Sequence, residues 1–273
     1  QELSAQLIFG AFGARGKLPV SIGNKFSEGH GISSSKLSRL GYSIPEAVDL
    51  SSKKLKKIDS LATIILEKKM APGFQILVAR NAKVVFAKSY GYHTDKEIEL
   101  VKNTHIYDVA SLTKILATLP LIMKAEEDQE ISLESSLMEL LPFFKDSNKD
   151  TVTVKEILSH FGRLKSWIPF YKKTQDSSSG KNLKQFYRSK KTHLFNVKVA
   201  EHIYLNKHYK DSIYTYIKNA DQRDIAEYKY SDLGYYIFKE VLETKYQKSL
   251  ARLVDEEFYQ YLGANRTTYL PLL

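Results

Sequence analysis

The hydrophobic pattern first predicts a helix and then a β-hairpin. Apolar residues at helical spacing between Ser51 and Met70 predict an amphipathic helix, which Ala71-Pro72-Gly73 would end. Two β-rich runs follow at residues 74–79 and 84–91. The short stretch between them, residues 80–83, has the length of a turn between antiparallel strands.

A second stretch of helical spacing follows the hairpin. Its apolar positions are Val109, Leu112, Ile115, Leu116, Leu119, Ile122 and Met123. Asp108 precedes them as a candidate N-cap, and Pro120 is expected to kink the helix. The pattern therefore predicts a helix with one apolar face buried in a core.

Ser111 and Lys114 lie in the first turns of this predicted helix. Side chains three apart on a helix are neighbours, so the Lys114 amine can reach the Ser111 hydroxyl and take its proton. The positive end of the helix dipole also favours the negative charge that develops in acyl transfer. The alternative is an ordinary first-turn serine beside a solvated lysine.

Spacing alone does not select this pair. Serine precedes lysine by three positions four times, at Ser33/Lys36, Ser51/Lys54, Ser111/Lys114 and Ser178/Lys181. The other three pairs lie in polar stretches rich in serine or lysine, which are typical of loops and solvated helix starts. Only Ser111 opens a helix that we expect to be rooted in a core, whereas Ser51 opens a solvated, lysine-rich helix start.

Composition limits the classes of protein that remain. A chain of 273 residues with 43% hydrophobic content can hold one large domain or two small ones. The absence of cysteine excludes disulfides and thiolate metal sites, and neither a cofactor nor a metal is predicted. The net charge of +10 is concentrated between residues 145 and 218. This segment is either a positive rim for substrates with carboxylates or a solvated lysine-rich surface, and it matches no nucleic-acid module.

The first 45 residues differ from the rest. Residues 3–12 are apolar and punctuated by glycine, residues 16–21 suggest a short strand, and residues 23–41 suggest a loop or linker. The chain begins at Gln1 and has no apolar run long enough to span a membrane. We expect it to be a piece of a longer protein.

Several strings from residue 50 onward resemble one superfamily, the serine hydrolases that comprise class C β-lactamases, penicillin-binding proteins and related esterases. The strings are Pro72-Gly73-Phe74, residues 86–92, Ala110-Ser111-Leu112-Thr113-Lys114, residues 130–134 and residues 151–160. The resemblance implies a mixed α/β fold with an antiparallel sheet and a helical lobe. It also implies that Ser111 is a nucleophile, Lys114 its base, and His160 a structural residue.

The second motif of that superfamily is Tyr-x-Asn, and a Tyr-x-Asn/Asp string occurs three times here. The candidates start at Tyr204, Tyr209 and Tyr230. Only Tyr230-Ser231-Asp232 precedes a Gly-Tyr and an apolar helical run as the motif does. The resemblance therefore implies that Tyr230 relays a proton to the leaving group and that Asp232 positions Lys114 or the substrate.

The sequence departs from the superfamily pattern in two ways. The third motif, Lys-Thr-Gly or His-x-Gly, would lie beyond residue 273, so we expect this stretch to hold an incomplete hydrolase domain, truncated at its C-terminal end. Position 232 is aspartate where an amide is usual. An anion near Lys114 would raise the pKa of the amine and make the neutral base scarcer.

Residues 9–12 and 16–20 resemble the tail of a family-3 glycoside hydrolase. The predicted domains are therefore that tail with a linker, residues 1–45, and a β-lactamase-like domain, residues 46–273. Such a join resembles bifunctional β-N-acetylglucosaminidase proteins of Bacteroidetes-type bacteria, which implies a covalently linked glycoside hydrolase and a periplasmic or envelope location. The expected substrates are small esters, amides or peptidoglycan-derived molecules. The alternative is a non-catalytic binding or scaffold domain attached to the glycosidase.

Overall fold

The computed structural model describes residues 13–34 and 40–269, which fall into two compact units. Of the described residues, the first unit comprises 13–34, 40–108 and 259–266, and the second comprises 109–258 and 267–269. The string at residues 9–12, which resembles a glycoside hydrolase tail, lies outside the described residues. The domain boundary near residue 45 stays a prediction.

Helices and short strands alternate along the described chain. The α-helices are α1 (Ser52–Glu67), α2 (Leu119–Glu127), α3 (Leu137–Leu140), α4 (Val154–Leu158), α5 (Tyr209–Asn219), α6 (Leu233–Tyr246), α7 (Leu250–Val254) and α8 (Gln260–Leu262). The strands are β1 (Gly41–Tyr42), β2 (Gly73–Arg80), β3 (Lys83–Gly91), β4 (Tyr187–Arg188), β5 (Phe195–Ala200) and β6 (Ile203–Asn206). None of the described helices combines the length and the apolar character that crossing a bilayer requires.

The first unit confirms the predicted helix and hairpin. The helix α1 begins after Ser51, whose hydroxyl accepts a hydrogen bond from the Lys54 amide. The strands β2 and β3 pair antiparallel. Asn81 and Ala82 connect them, and both have positive φ, as in a type I′ turn. Strand β1, which the pattern did not predict, pairs parallel with β3, so this sheet is mixed.

The buried face of α1 differs in part from the predicted one. Ala62 is the buried residue of the helix, whereas Leu61 and Ile64, two of the apolar residues whose spacing predicts the helix, are exposed. The carboxylate of Asp59 accepts hydrogen bonds from the Lys88 amine at 2.8 Å and the Tyr90 hydroxyl at 2.7 Å. Helix and sheet are thus joined by a polar contact as well as by packing.

The core of the second unit forms around helix α6. Its fully buried large apolar side chains come from six helices and a short 3₁₀ turn, and they are Ile122, Leu137, Phe144, Val154, Ile217, Leu233, Ile237, Phe238, Leu242 and Val254. Helix α6 contacts α2, α7 and the π-helical segment Lys114–Thr118. It therefore holds the residue just before it, Asp232, close to the Ser111 segment.

Two other sequence predictions differ from the structure. Residues 16–21 form no strand, and the described stretch 13–34 has only the isolated bridges Ala14–Ser34 and Ile22–Phe26. In the second unit, β4, β6 and β5 form an antiparallel sheet that the pattern did not predict. Two of its strands have at most four residues, too few for period-two alternation to identify them.

Lys149 is a buried exception in the lysine-rich segment. Its side chain is fully buried, and its amine donates to the Asn148 side chain at 2.6 Å and to the backbone carbonyls of Lys218 and Ala220. These carbonyls lie at the end of α5, where the helix has no further amides to pair with them. Burial lowers the pKa of this lysine to about 8. The solvated-surface interpretation is wrong at this position.

We expect Lys149→Met to lower the free energy of unfolding by about 2–3 kcal/mol, because it leaves buried carbonyls without their donor. The control is Lys145→Met at an exposed site, which should change the free energy of unfolding by less than about 0.5 kcal/mol. Urea unfolding monitored by circular dichroism measures the stability of both variants.

The pKa of Lys149 in the folded protein lies below the ordinary 10.5, so the unfolded state binds more protons between those two values. The Lys149 contribution should therefore grow as pH rises from about 8 to 10.5, and equal stability of the two variants would contradict the role of Lys149.

Candidate active site

Ser111 lies where the chain enters a helical segment of changing pitch. Residues Ala110–Leu112 form a 3₁₀ turn, Lys114–Thr118 a π-helical turn, and α2 continues from there. Ala110 has a φ of 43°, a left-handed conformation that is strained for a residue with a side chain. Such strain and π-turns both concentrate at functional sites.

The single amphipathic helix predicted here is wrong in two respects. The N-cap residue is Val109 and not Asp108, and the Val109 side chain makes no capping hydrogen bond. The buried residues are Ala117, Thr118, Leu121, Ile122 and Ala125, while Leu112, Ile115 and Met123 are exposed. The π-turn adds a residue to one turn, so it rotates the later positions away from the phase that a regular helix would give.

The Lys114 amine is the centre of the site. It donates to the Ser111 hydroxyl at 3.0 Å and to the Asp232 carboxylate at 2.5 Å. It also lies 4.9 Å from the centre of the Tyr230 ring and 5.6 Å from that of Tyr235. All four residues predicted for the site, Ser111, Lys114, Tyr230 and Asp232, are therefore brought together.

The charge state of Lys114 is set by competing effects. Burial of its side chain, which is 13% exposed, lowers the pKa, but the hydrogen bond to Asp232 and contact with Tyr230 outweigh it and raise the pKa above the ordinary value. Lys114 is therefore an ammonium ion at neutral pH. Its neutral form, which a general base requires, becomes populated only as pH rises.

Residues 160–166 hold the Tyr230-Ser231-Asp232 loop in place. The Lys229 amide donates to the His160 carbonyl at 3.0 Å, and the Asp232 amide donates to the Ser166 carbonyl at 2.8 Å. The buried Ser231 hydroxyl donates to the Lys165 carbonyl and accepts from the Leu233 amide. Ser231 thus binds the first turn of α6, and the Asp232 carboxylate makes no capping hydrogen bond and remains directed to Lys114.

His160 contacts this loop through its ring. The Nδ1 atom accepts from the Ser231 amide at 3.3 Å, and the ring centre lies 4.6 Å from that of Tyr230. Burial, followed by the nearby Lys114 charge, lowers the pKa of His160, which keeps the ring neutral at pH 7 and Nδ1 able to accept. This arrangement agrees with the predicted structural role.

Close packing fixes the start of α6 as well. A methyl group added at Gly234 would lie 2.3 Å from Cγ2 of Ile157 in α4, closer than atoms can pack. The helix therefore approaches α4 at a position that only glycine allows. This approach sets where Asp232 emerges.

The Ser111 hydroxyl and Lys114 open onto a cleft of about 390 Å³. Asp232, Tyr235, Tyr236 and Lys239 also line it. Tyr230 is not among the lining residues that the structure describes, and it contacts the Lys114 amine instead. The sequence motifs did not indicate Tyr235, Tyr236 or Lys239. Helical spacing could have, because these residues lie one or two turns after Asp232 and thus on the same side of α6.

The other serine–lysine pairs serve local structure where the structure describes both residues. Ser51 is the N-cap of α1, and Ser178 donates to the Asp176 carboxylate in a turn. Lys36, the partner of Ser33, lies outside the described residues. Neither described alternative has the charged partner that Asp232 provides to Lys114.

The other two tyrosine candidates serve packing. Tyr204 lies on strand β6, and Tyr209 is buried and donates its hydroxyl to the Phe170 carbonyl at 2.6 Å. Neither tyrosine lines the cleft beside Ser111.

We expect His160→Ala to reduce but not abolish covalent labelling of Ser111, and to lower stability by about 1 kcal/mol through the lost hydrogen bond to Ser231. His160→Asn should recover much of both, because its side-chain oxygen can accept and asparagine tolerates the left-handed φ of 61° found here. The rate of labelling with a serine-directed fluorophosphonate, followed across pH, measures this. A loss as complete as that of the Ser111 variant would instead make His160 catalytic.

The fold and the site both point to the class of β-lactamases and penicillin-binding proteins. The family model described as Beta-lactamase matches residues 59–272, and the chain therefore belongs to the Beta-lactamase family. This confirms the serine hydrolase superfamily predicted from the sequence.

An N-acetylmuramyl-L-alanine amidase of Bacillus subtilis (strain 168) is 26% identical over 243 residues, which cover 83% of this chain and 49% of that protein. The chain thus spans about half the length of this curated relative.

Solved structures show the same fold. The octameric penicillin-binding protein homologue from Pyrococcus abyssi has a TM-score of 0.58 and 19% identity over 78% of this chain and 44% of its own. A class C beta lactamase has a TM-score of 0.58 and 20% identity over 81% of this chain and 52% of its own. The predicted mixed α/β, β-lactamase-like fold is confirmed.

Proposed function

We propose that the protein hydrolyses an ester or amide through an acyl-enzyme formed on Ser111. The Ser111 oxygen attacks the substrate carbonyl carbon, Lys114 takes the hydroxyl proton, and Tyr230 relays a proton to the leaving group. Water then attacks the acyl-enzyme, which releases the acid and restores the Ser111 hydroxyl. Asp232 holds the Lys114 amine in position.

One observation carries this proposal. The Lys114 amine contacts both the Ser111 hydroxyl, at 3.0 Å, and the Asp232 carboxylate, at 2.5 Å, beside an open cleft. A base must lie within hydrogen-bond reach of the proton that it removes, and this geometry meets that requirement.

A serine-directed fluorophosphonate tests the proposal most directly. We expect one adduct per chain by intact mass, located on Ser111 by peptide mapping, with a labelling rate that increases with pH. A panel of nitrophenyl esters and a penicillin would then separate esterase from β-lactam reactivity. Absence of any adduct at alkaline pH would overturn the proposal.

A cell-wall substrate is supported by the likeness to the Bacillus subtilis amidase. Peptidoglycan-derived amides or esters are therefore the first natural substrates to test, by mass spectrometry of digested cell walls. A periplasmic or envelope location and a linked family-3 glycoside hydrolase remain proposals that rest on the sequence resemblance. Release of nitrophenol from a nitrophenyl N-acetylglucosaminide by the natural protein would test the linked activity.

The ion pair between Lys114 and Asp232 favours a second candidate function, that of a non-catalytic domain that binds cell-wall material. Because Asp232 keeps Lys114 protonated at neutral pH, Ser111 has a poor base there. A binding domain would give no adduct with any serine probe at any pH, yet would still co-sediment with purified peptidoglycan. A fluorophosphonate adduct on Ser111 would exclude it.

A further inference from the structure

Two histidines and a glutamate of the first unit form a cluster that shares no residue with the Ser111 site. One ring nitrogen of His93, one of His105 and a carboxylate oxygen of Glu99 all lie within 4.8 Å of one another. His93 Nε2 and His105 Nδ1 are 2.6 Å apart, and His105 Nε2 lies 3.8 Å from Glu99 Oε1. Imidazole and carboxylate are the ligands that zinc accepts in protein sites without cysteine.

The backbone holds these three side chains together. Tyr92 and Leu100 pair as an antiparallel bridge just beyond β3, and the His93 amide donates to the Glu99 carbonyl at 2.9 Å. His93 and Glu99 are therefore cross-strand neighbours on a short ribbon. Such neighbours have their side chains about 5 Å apart at Cβ, which places both within reach of one ion.

His105 is fixed from the other side. Its amide donates to the Lys102 carbonyl at 2.9 Å, and the side chain of Gln75, on strand β2, donates to the carbonyls of both Lys102 and His105. The His105 side chain is 20% exposed, whereas that of Glu99 is 65% exposed. One ligand is thus anchored to the sheet, and the solvent side remains open for an exchangeable ion.

The contact between the two rings is itself unusual. Ring nitrogens that face each other at 2.6 Å can direct both lone pairs at one ion placed between them. A divalent ion in that position would replace the direct contact between the rings. Tetrahedral zinc, with Zn–N bonds of about 2.0–2.1 Å, needs its nitrogens roughly 3.3 Å apart, so the rings would separate by less than about 1 Å.

We infer that His93, Glu99 and His105 bind a divalent transition-metal ion such as Zn²⁺, with water completing its coordination. The two nitrogens and one carboxylate leave a fourth position open. Binding ties the ribbon at residues 92–100 to residue 105. The site uses no residue of the Ser111 centre.

Titration of untagged, EDTA-stripped protein with ZnCl₂ by isothermal calorimetry tests this inference. We expect one Zn²⁺ per chain and a thermal midpoint that rises with ZnCl₂, while MgCl₂ binds far more weakly because a hard cation prefers oxygen ligands. His93→Ala and His105→Ala should each weaken Zn²⁺ binding by at least about tenfold, and Glu99→Gln by a smaller factor. Co²⁺ in place of Zn²⁺ should give visible absorption that both histidine variants lose.

A matched control is available in the second unit. His202 and Glu201 are an exposed histidine–glutamate pair with atoms 3.5 Å apart, so His202→Ala removes a similar pair without touching the cluster. It should bind Zn²⁺ as the unmodified protein does, and so should Ser111→Ala. Because His93 and Glu99 are exposed, their variants should melt without metal as the unmodified protein does. No stoichiometric Zn²⁺ binding, or binding that survives both histidine substitutions, would overturn the inference.

Discussion

Ser111→Ala is expected to abolish covalent labelling by a fluorophosphonate and to lower ester hydrolysis by about 10³-fold or more, the scale typical of losing a nucleophile. The reason is chemical. The alanine has no oxygen to attack the carbonyl carbon, and no other described serine contacts a lysine amine beside the cleft. Intact-mass spectrometry after exposure to the probe measures the adduct.

Two other serines provide matched controls, because each also precedes a lysine by three positions. Ser51→Ala should leave labelling unchanged, although removing the N-cap of α1 should cost about 1 kcal/mol of stability. Ser178→Ala, in an exposed turn, should affect neither. An adduct that persists in Ser111→Ala would refute Ser111 as the nucleophile.

Asp232→Asn is expected to move the pH profile of ester hydrolysis to lower pH and to improve acylation by a β-lactam. The Asp232 carboxylate contacts the Lys114 amine at 2.5 Å and raises its pKa. An amide of the same shape keeps the contact but removes the attraction. Each unit by which the pKa of Lys114 falls is worth about 1.4 kcal/mol, or roughly tenfold more neutral base at any pH below that pKa.

The sign of this effect follows from which form of Lys114 works. The neutral amine accepts the serine proton, so activity rises with pH through the pKa of Lys114 in the folded protein. Lowering that pKa shifts the rising limb to lower pH. Rates of nitrophenyl ester hydrolysis between pH 6 and the alkaline limit of stability, compared for the two proteins, measure the shift.

A second aspartate–lysine pair supplies the control. Asp221 contacts Lys165 at 3.1 Å on the surface of the same unit, so Asp221→Asn removes the same charge away from Lys114. It should leave the profile unchanged. The alternative that Asp232 merely caps α6 predicts no shift for Asp232→Asn. The structure argues against that alternative, because the Ser231 hydroxyl accepts from the Leu233 amide and Asp232 makes no capping bond.

Local features of the fold could be predicted from the sequence because their causes are local. Helix α1 and the β2–β3 hairpin follow from apolar spacing and a short turn within 40 residues or so. The pitch change after Ser111 could not be predicted this way. It depends on packing of the Lys114–Thr118 turn against α6 and α7, which lie far along the chain.

The apolar pattern also failed to predict burial wherever a segment distant in sequence encloses the side chain. Lys149 lies in a lysine-rich segment that looks solvated, but the end of α5 encloses it and supplies carbonyl acceptors. The His93–His105 contact has no motif spacing, and it exists because a ribbon turn and a sheet residue bring the two rings together.

The sequence by itself determined the family and the proximity of Ser111 and Lys114, the proposed nucleophile and base. Ser111 and Lys114 are three residues apart, and helical backbone places such neighbours in contact whatever surrounds them. Tertiary structure alone decided what that pair can do. Asp232 lies 118 residues from Lys114 and reaches it only because residues 160–166 hold its loop and Gly234 lets α6 approach α4. The charge of Lys114, and with it the pH at which Ser111 can react, depends on that distant contact, because electrostatic interactions depend on separation in space and not in sequence.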